Sequence, residues 1–396
     1  MKYDFDKIND RRNTDSLKYD FAEEHGVPQD ALPLWIADMD FRVPNEVISA
    51  IQGRAEEGIF GYVAPREDYY KALTNWFLTR HGWKTEGKKY VQACSVVFAI
   101  CALLRTFTKE NDGVIICQPV YYPFESSIKA NNRKLVVSEL KLKDGKYEVD
   151  FKDFENKIVK NKVKAFILCN PHNPVGRVWT KEELTQMGNI CLKHGVFVIA
   201  DEIHCDFAFG THKHVPFASI SKEFAENCAV CTAPTKTFNI AGLQISNVYV
   251  ESDIRREKLV EELDKVGYCE PNVMGMTACR AAYTYGAEWL DELKEYLAQN
   301  IALVREYVGV NVPEVKFIEH EGTYLVWLDF RALGLTDKEL EDLIKNKAKL
   351  WLDDGYVFGV GGSGFQRINV ACPRSVLIAA LGRLKAALQG ELNAAV

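Results

Sequence analysis

No apolar run in this chain reaches the length of a membrane span. Its first residues, M-K-Y-D-F-D-K-I-N-D, lack the apolar core of a secretory signal. Positive charge is not in excess. Against 49 Lys and Arg stand 55 Asp and Glu, a net charge of -6, and no basic stripe is present. Nucleic acid is therefore not an expected partner. Internal repeats, low-complexity tracts and a long linker are absent too. The 11 cysteines are an odd number and lie mostly in apolar segments. That pattern suits buried free thiols in a reducing cytosol, so a cytoplasmic protein without membrane attachment is expected.

What remains is ordinary globular material: 396 residues, 47% hydrophobic and 26% charged, enough for two or three domains. Two motifs invite misreading. Cys228 and Cys231 form C-x-x-C inside an apparent strand, where residues three apart face opposite ways, so packing is expected rather than metal binding. Gly359, Gly361 and Gly364 match G-x-G-x-x-G, but a strand-like F-Q-R-I-N-V follows where a dinucleotide site needs a helix. A loop is expected there.

Along the chain, about 30 polar residues precede the apolar P-L-W-I-A-D-M-D-F, Pro33 to Phe41. Helices are expected from Pro44 towards Gly58 and from Asp68 to Gly82. Tyr90 to Val97 reads as a strand, followed by an apolar helix to Thr108. Further strands are expected at Gly113–Cys117, Lys134–Glu139, Val163–Asn170, Val196–Ile203, Asn227–Pro234 and Ile245–Glu251. A helix from Thr180 to His194 carries a capping box, Thr180 with Glu183, and stops at Gly195. Runs such as A-F-I-L-C and V-F-V-I-A are apolar on both faces, as strands of a covered parallel sheet must be. This predicts an α/β domain with a doubly wound, mostly parallel sheet. After Tyr285 the texture changes: a long helix from Glu288 towards Val308, strands at Val315–Glu319 and Tyr324–Asp329, a helix capped by Thr336 and Glu339, and a last one from Cys372 to Gln389. The expected division is an N-terminal segment over 1–44 that packs with the small domain, a large domain over 45–285 and a smaller α+β domain over 286–396.

Ligands of open α/β sheets sit at the carboxyl ends of the strands. There the chain places N-P-H-N-P-V-G (Asn170 to Gly176), D-E-I-H (Asp201 to His204) and T-K-T-F-N-I-A-G-L-Q (Thr235 to Gln244). Lys236 is either a Schiff-base nucleophile or a surface lysine; asparagine, carboxylate and lysine on one edge favour the first.

These segments, with I-F-G-Y, P-V-Y-Y-P-F, H-K-H-V-P-F-A-S, E-G-T-Y-L-V-W-L-D-F and G-F-Q-R-I-N-V-A-C-P, resemble the fold-type I pyridoxal-phosphate enzymes of the aspartate-aminotransferase superfamily. Within it they are most similar to the MalY/PatB-type cystathionine β-lyases, the C–S lyases. The resemblance implies pyridoxal 5'-phosphate as cofactor, with Lys236 as its covalent anchor and as the base at the substrate Cα. It implies Asp201 on the pyridine nitrogen, Asn173 on the ring oxygen and Tyr121 stacked on the ring. The phosphate would rest on Ser95, Val96 and Val97, on Thr235, and on Tyr62 of a neighbouring subunit, which implies a homodimer with shared sites. Arg367 would hold the substrate carboxylate, with Asn173 beside it and Ala37 in a covering loop. Two positions depart from the wider superfamily: His204 stands where many aminotransferases have tyrosine, and Gln244 where they have arginine. His204 is either a cofactor contact or a structural histidine. The H-x-H of His212 and His214 lacks a ligand set, so no metal is expected. The implied reaction is α,β-elimination on L-cystathionine and related cysteine S-conjugates, giving a thiol, pyruvate and ammonia. An aminotransferase, or a pyridoxal-phosphate protein with a regulatory protein-binding role, are the alternatives.

Overall fold

The computed structural model describes residues 2–394. Seven strands form the central sheet: β1 (Tyr90–Ala93), β2 (Gly113–Gln118), β3 (Lys134–Glu139), β4 (Val163–Cys169), β5 (Phe197–Asp201), β6 (Cys228–Thr232) and β7 (Ser246–Tyr249). Their spatial order is β1-β7-β6-β5-β4-β2-β3. Only β7 runs against its neighbours β1 and β6; the pairs β6–β5, β5–β4, β4–β2 and β2–β3 are parallel. Six carboxyl ends therefore open on one edge, the arrangement expected of a doubly wound sheet.

Both faces of the sheet are buried. Ile115 and Cys117 point into one apolar cluster, while Val114 and Ile116 point into another. Cys228 and Cys231 divide in the same way, one to each cluster, which removes the C-x-x-C as a ligand pair. All eleven cysteines are free.

Several element ends differ from the sequence expectation. Val96 and Val97 do not extend β1; they open the helix Val96–Phe107. Ser95 causes this, since its hydroxyl accepts the Phe98 N–H and caps the helix, overriding the strand preference of two valines. β6 stops at Thr232, and Pro234 begins a one-turn helix, Pro234–Thr237, that carries Lys236. The hairpin Lys141–Lys143 with Lys146–Glu148 was not expected; its turn is Asp144-Gly145, with φ of 49° and 80°.

The capping box of the helix Lys181–Lys193 is present: Thr180 Oγ1 accepts the Glu183 N–H, and Glu183 accepts the Thr180 N–H. Thr180→Ala should lower stability by about 1 kcal/mol. The check is a lower urea midpoint at unchanged slope.

A second, antiparallel sheet has the order β8 (Lys316–Phe317), β9 (Leu325–Asp329), β11 (Phe365–Asn369), β10 (Asp353–Asp354). The helix Ala287–Asn311 packs beside β8, and the helix Arg374–Ala394 packs against that helix. Gly359, Gly361 and Gly364 all have positive φ in the loop before β11, a turn and not a phosphate cradle. The N-terminal segment joins this part: Leu32–Pro33 pairs with Leu350–Trp351, and Asn369 N–H donates to Leu34 O.

Candidate active site

The carboxyl edge of the central sheet meets the second sheet across a cavity of about 250 Å³. Eleven of the twelve residues expected at a site line it: Ala37, Ser95, Val96, Val97, Tyr121, Asn173, Asp201, His204, Thr235, Lys236 and Arg367. The exception is Tyr62, which is 93% exposed and outside the cavity.

Asp201 closes β5, level with Cys169 and Cys231 on the neighbouring strands. Its Oδ1 accepts the Ile203 N–H at 3.1 Å, and it has no ion pair among the described residues. Burial pushes its carboxyl up to about 7, against which the Ile203 N–H and the Lys236 charge pull down. Such a group calls for a cation.

Lys236 is half-buried and its Nζ donates to Ala37 O at 2.7 Å. Burial brings its ammonium down to about 8. Asp38 and Asp201 favour the charged form, and Arg367 opposes it. His204 is buried, with Nδ1 unpartnered and its ring 5.8 Å from that of Tyr324. Burial, then the charges of Lys236 and Arg367, hold it down at about 3, so it is a neutral imidazole.

Arg367 is 2% exposed. Its Nη1 donates to Asn173 Oδ1 at 2.9 Å, and its Nη2 to Trp35 O at 2.7 Å and to Asp353. Its Nε is unpartnered. With its oxygen on Arg367, the Asn173 amide has its N–H donors left over. Tyr121 is tied to the same segment through its N–H, which donates to Asn173 O at 3.0 Å. At the start of the helix Val96–Phe107, the first amide N–H groups have no intrahelical acceptor, which suits an anion.

Asp353 was missed by sequence reasoning. It faces Arg367 across β10 and β11, and burial raises its carboxyl although Arg367 opposes this. The signal was available in W-L-D-D-G, two acids in an apolar stretch. Tyr122 also lines the cavity without having been singled out.

An amine, a buried carboxylate without a cation, an amide donor and a helix start around one cavity suit pyridoxal phosphate. Its aldehyde, pyridinium, ring oxygen and phosphate are the complementary groups.

A family model, aminotransferase class I and II, matches residues 29–384. The chain belongs to this family. It is 42% identical to cystathionine beta-lyase PatB of Bacillus subtilis, over 97% of this chain and 99% of that protein. Protein MalY of Escherichia coli is 33% identical, over 95% and 96%. Among solved structures, cystalysin from Treponema denticola, which contains a pyridoxal 5'-phosphate cofactor, superposes with a TM-score of 0.95. It is 40% identical and covers 98% of this chain and 100% of its own.

A second cluster lies outside the cavity. Asp206 accepts Trp76 Nε1 at 3.2 Å and Thr237 Oγ1 at 2.7 Å, and His81 Nε2 lies 3.0 Å away. With Cys205 these groups stand at metal-ligand spacing. The Asp206 oxygens are already taken, however, and Arg80 and Lys294 border the same hollow. His212 and His214 do not belong to that cluster: His214 Nε2 lies 2.9 Å from Glu202, and His212 stands at such spacing with Glu319 and Glu321 instead, an acidic pair that the H-x-H motif did not announce.

Proposed function

We propose that this protein is a pyridoxal-phosphate-dependent C–S β-lyase. It would cleave L-cystathionine and related cysteine S-conjugates to a thiol, pyruvate and ammonia. The observation that carries the reading is the placement of Lys236 and the Asp201 carboxylate, which has no ion pair among the described residues, in one cavity, in a chain 42% identical to a cystathionine beta-lyase.

When bound, pyridoxal phosphate supplies an electron sink for the substrate Cα–H bond. The protein's own residues do the rest. Lys236 would anchor the cofactor, and its amine would serve as the base for the proton on the substrate Cα. Asp201 would keep the ring nitrogen protonated, and Asn173 would donate to the ring oxygen. Tyr121 would cover the ring face, and the N–H groups at Ser95, Val96 and Val97 would hold the phosphate with Thr235. Arg367 fixes the substrate carboxylate, and Ala37 lies in the loop over it. His204, neutral and buried, is a wall of the site rather than an acid. We also place the enzyme in the cytoplasm as a homodimer. Eleven free cysteines favour the first. Tyr62, with Ile59 at 73% and Phe60 at 58% exposed, forms an apolar run suited to burial against a second copy.

The direct test is to mix holoenzyme with L-cystathionine and assay pyruvate. Turnover that depends instead on an added 2-oxo acid would make it an aminotransferase. Arg367→Lys should retain cofactor and lose about 2–4 kcal/mol in kcat/KM for cystathionine. One ammonium cannot reach Asn173, Trp35 O, Asp353 and a carboxylate together. Unchanged kcat/KM would place the substrate carboxylate elsewhere.

A further inference from the structure

The loop Trp35–Asp38 is held through its carbonyl oxygens. Arg367 Nη2 donates to Trp35 O at 2.7 Å, and Asn369 Nδ2 donates to Ile36 O at 2.7 Å and Asp38 O at 2.6 Å. Tyr324 OH donates to Ala37 O at 3.0 Å. Four successive carbonyls are thus fixed by three side chains on or beside two adjacent strands, β9 and β11. Ala37 O also accepts the Lys236 amine, at 2.7 Å. On the far side, the Asn239 carboxamide accepts the Met39 N–H at 2.9 Å and donates to Met39 O at 2.8 Å. That ties the loop to the segment just after Lys236. The lysine itself rides on a helix of four residues, Pro234–Thr237.

We infer that Tyr324 is a positioning residue for Lys236: it fixes the Ala37 carbonyl as the seat of the lysine amine whenever that amine is not bonded to the cofactor. Tyr324 is 0% exposed and does not line the cavity, so it acts through Ala37 rather than on substrate. Its phenol stays protonated, since burial raises it. A carbonyl that already accepts an O–H is a weaker acceptor for an ammonium. Tyr324 therefore keeps the seat in place and also limits how far it stabilises the charged amine. Asp38 and Asp201 favour that charge, Arg367 opposes it, and His204 is neutral. The inference rests on the assignment of Lys236 made above.

Tyr324→Phe removes one oxygen and keeps the ring in its edge contacts with Phe207 and His204. The first readout is the rate at which apoenzyme recombines with pyridoxal phosphate as pH is varied, because only the neutral amine condenses. In the variant the midpoint should move to higher pH, so that recombination near neutrality slows several-fold. The second is steady-state kinetics of the holoenzyme: kcat should fall about tenfold or more while KM for cystathionine stays within about twofold, the signature of a displaced base. A midpoint and a kcat that both match wild type would overturn the inference. Lys236→Ala run in parallel separates the two claims. If that variant still recombines covalently, the lysine assignment fails; if it does not and Tyr324→Phe behaves as wild type, only Tyr324 fails.

Discussion

Lys236→Ala protein is expected to lose cystathionine turnover and to show none of the visible absorbance of lysine-bound pyridoxal phosphate. In the role proposed for Lys236, two functions vanish together. The covalent anchor goes, and so does the base at Cα; general-base catalysis alone contributes about 10²–10⁴-fold. The fold should survive, because the lysine contributes a single hydrogen bond, to Ala37 O, and Tyr324 still holds that carbonyl. The pH dependence in the wild type has a definite sign. Burial lowers the ammonium from 10.5 to about 8, so the neutral, reactive amine gains population as pH rises through about 8. Recombination of wild-type apoenzyme with cofactor should therefore quicken over that window and level off above it. Spectral titration of both proteins with pyridoxal phosphate checks this. A Lys236→Ala protein with wild-type absorbance and turnover would mean that another amine does the chemistry.

Much of this site was legible because its parts are local. Asp201, Asn173 and Lys236 each follow a strand that betrays itself as an apolar run, and a parallel sheet brings such ends to one edge without further information. The capping boxes at Thr180 and Thr336 were legible for the same reason, since partners three residues apart need no tertiary contact. What escaped was non-local or decided by a single bond. Val96 and Val97 read as strand until the Ser95 cap is counted. Asp353 matters because β10 lies opposite β11, a pairing that no short motif announces. Tyr324 stood inside a recognised segment. Its partner, the Ala37 carbonyl, lies 287 residues away and belongs to a main chain that carries no side-chain signature.

Asp201→Asn should separate stability from activity. In the protein without cofactor, this buried carboxylate faces no partner cation, and its pKa rises from 3.8 to about 7. An acid whose folded pKa is raised destabilises the fold at any pH above its unfolded value. The cost grows as pH climbs from about 4 to about 7 and is complete beyond. A rise of that size corresponds to about 4 kcal/mol. An asparagine cannot ionise and escapes this cost. The apo variant should therefore melt above wild-type apoprotein at pH 8, and the difference should shrink towards pH 4. With cofactor bound the order reverses. In the proposed role the wild-type carboxylate would then have the pyridinium it lacked, and removing one partner of a buried pair costs about 3–5 kcal/mol. The holo variant should lose cofactor more readily and turn over cystathionine at least about a hundredfold more slowly, because a ring nitrogen without its carboxylate is not kept protonated. Melting curves of apo and holo forms at pH 4 and pH 8, beside kcat for cystathionine, test both halves. A variant that is no more stable as apoprotein and stays within about tenfold of wild-type turnover would remove Asp201 from its place opposite the ring nitrogen.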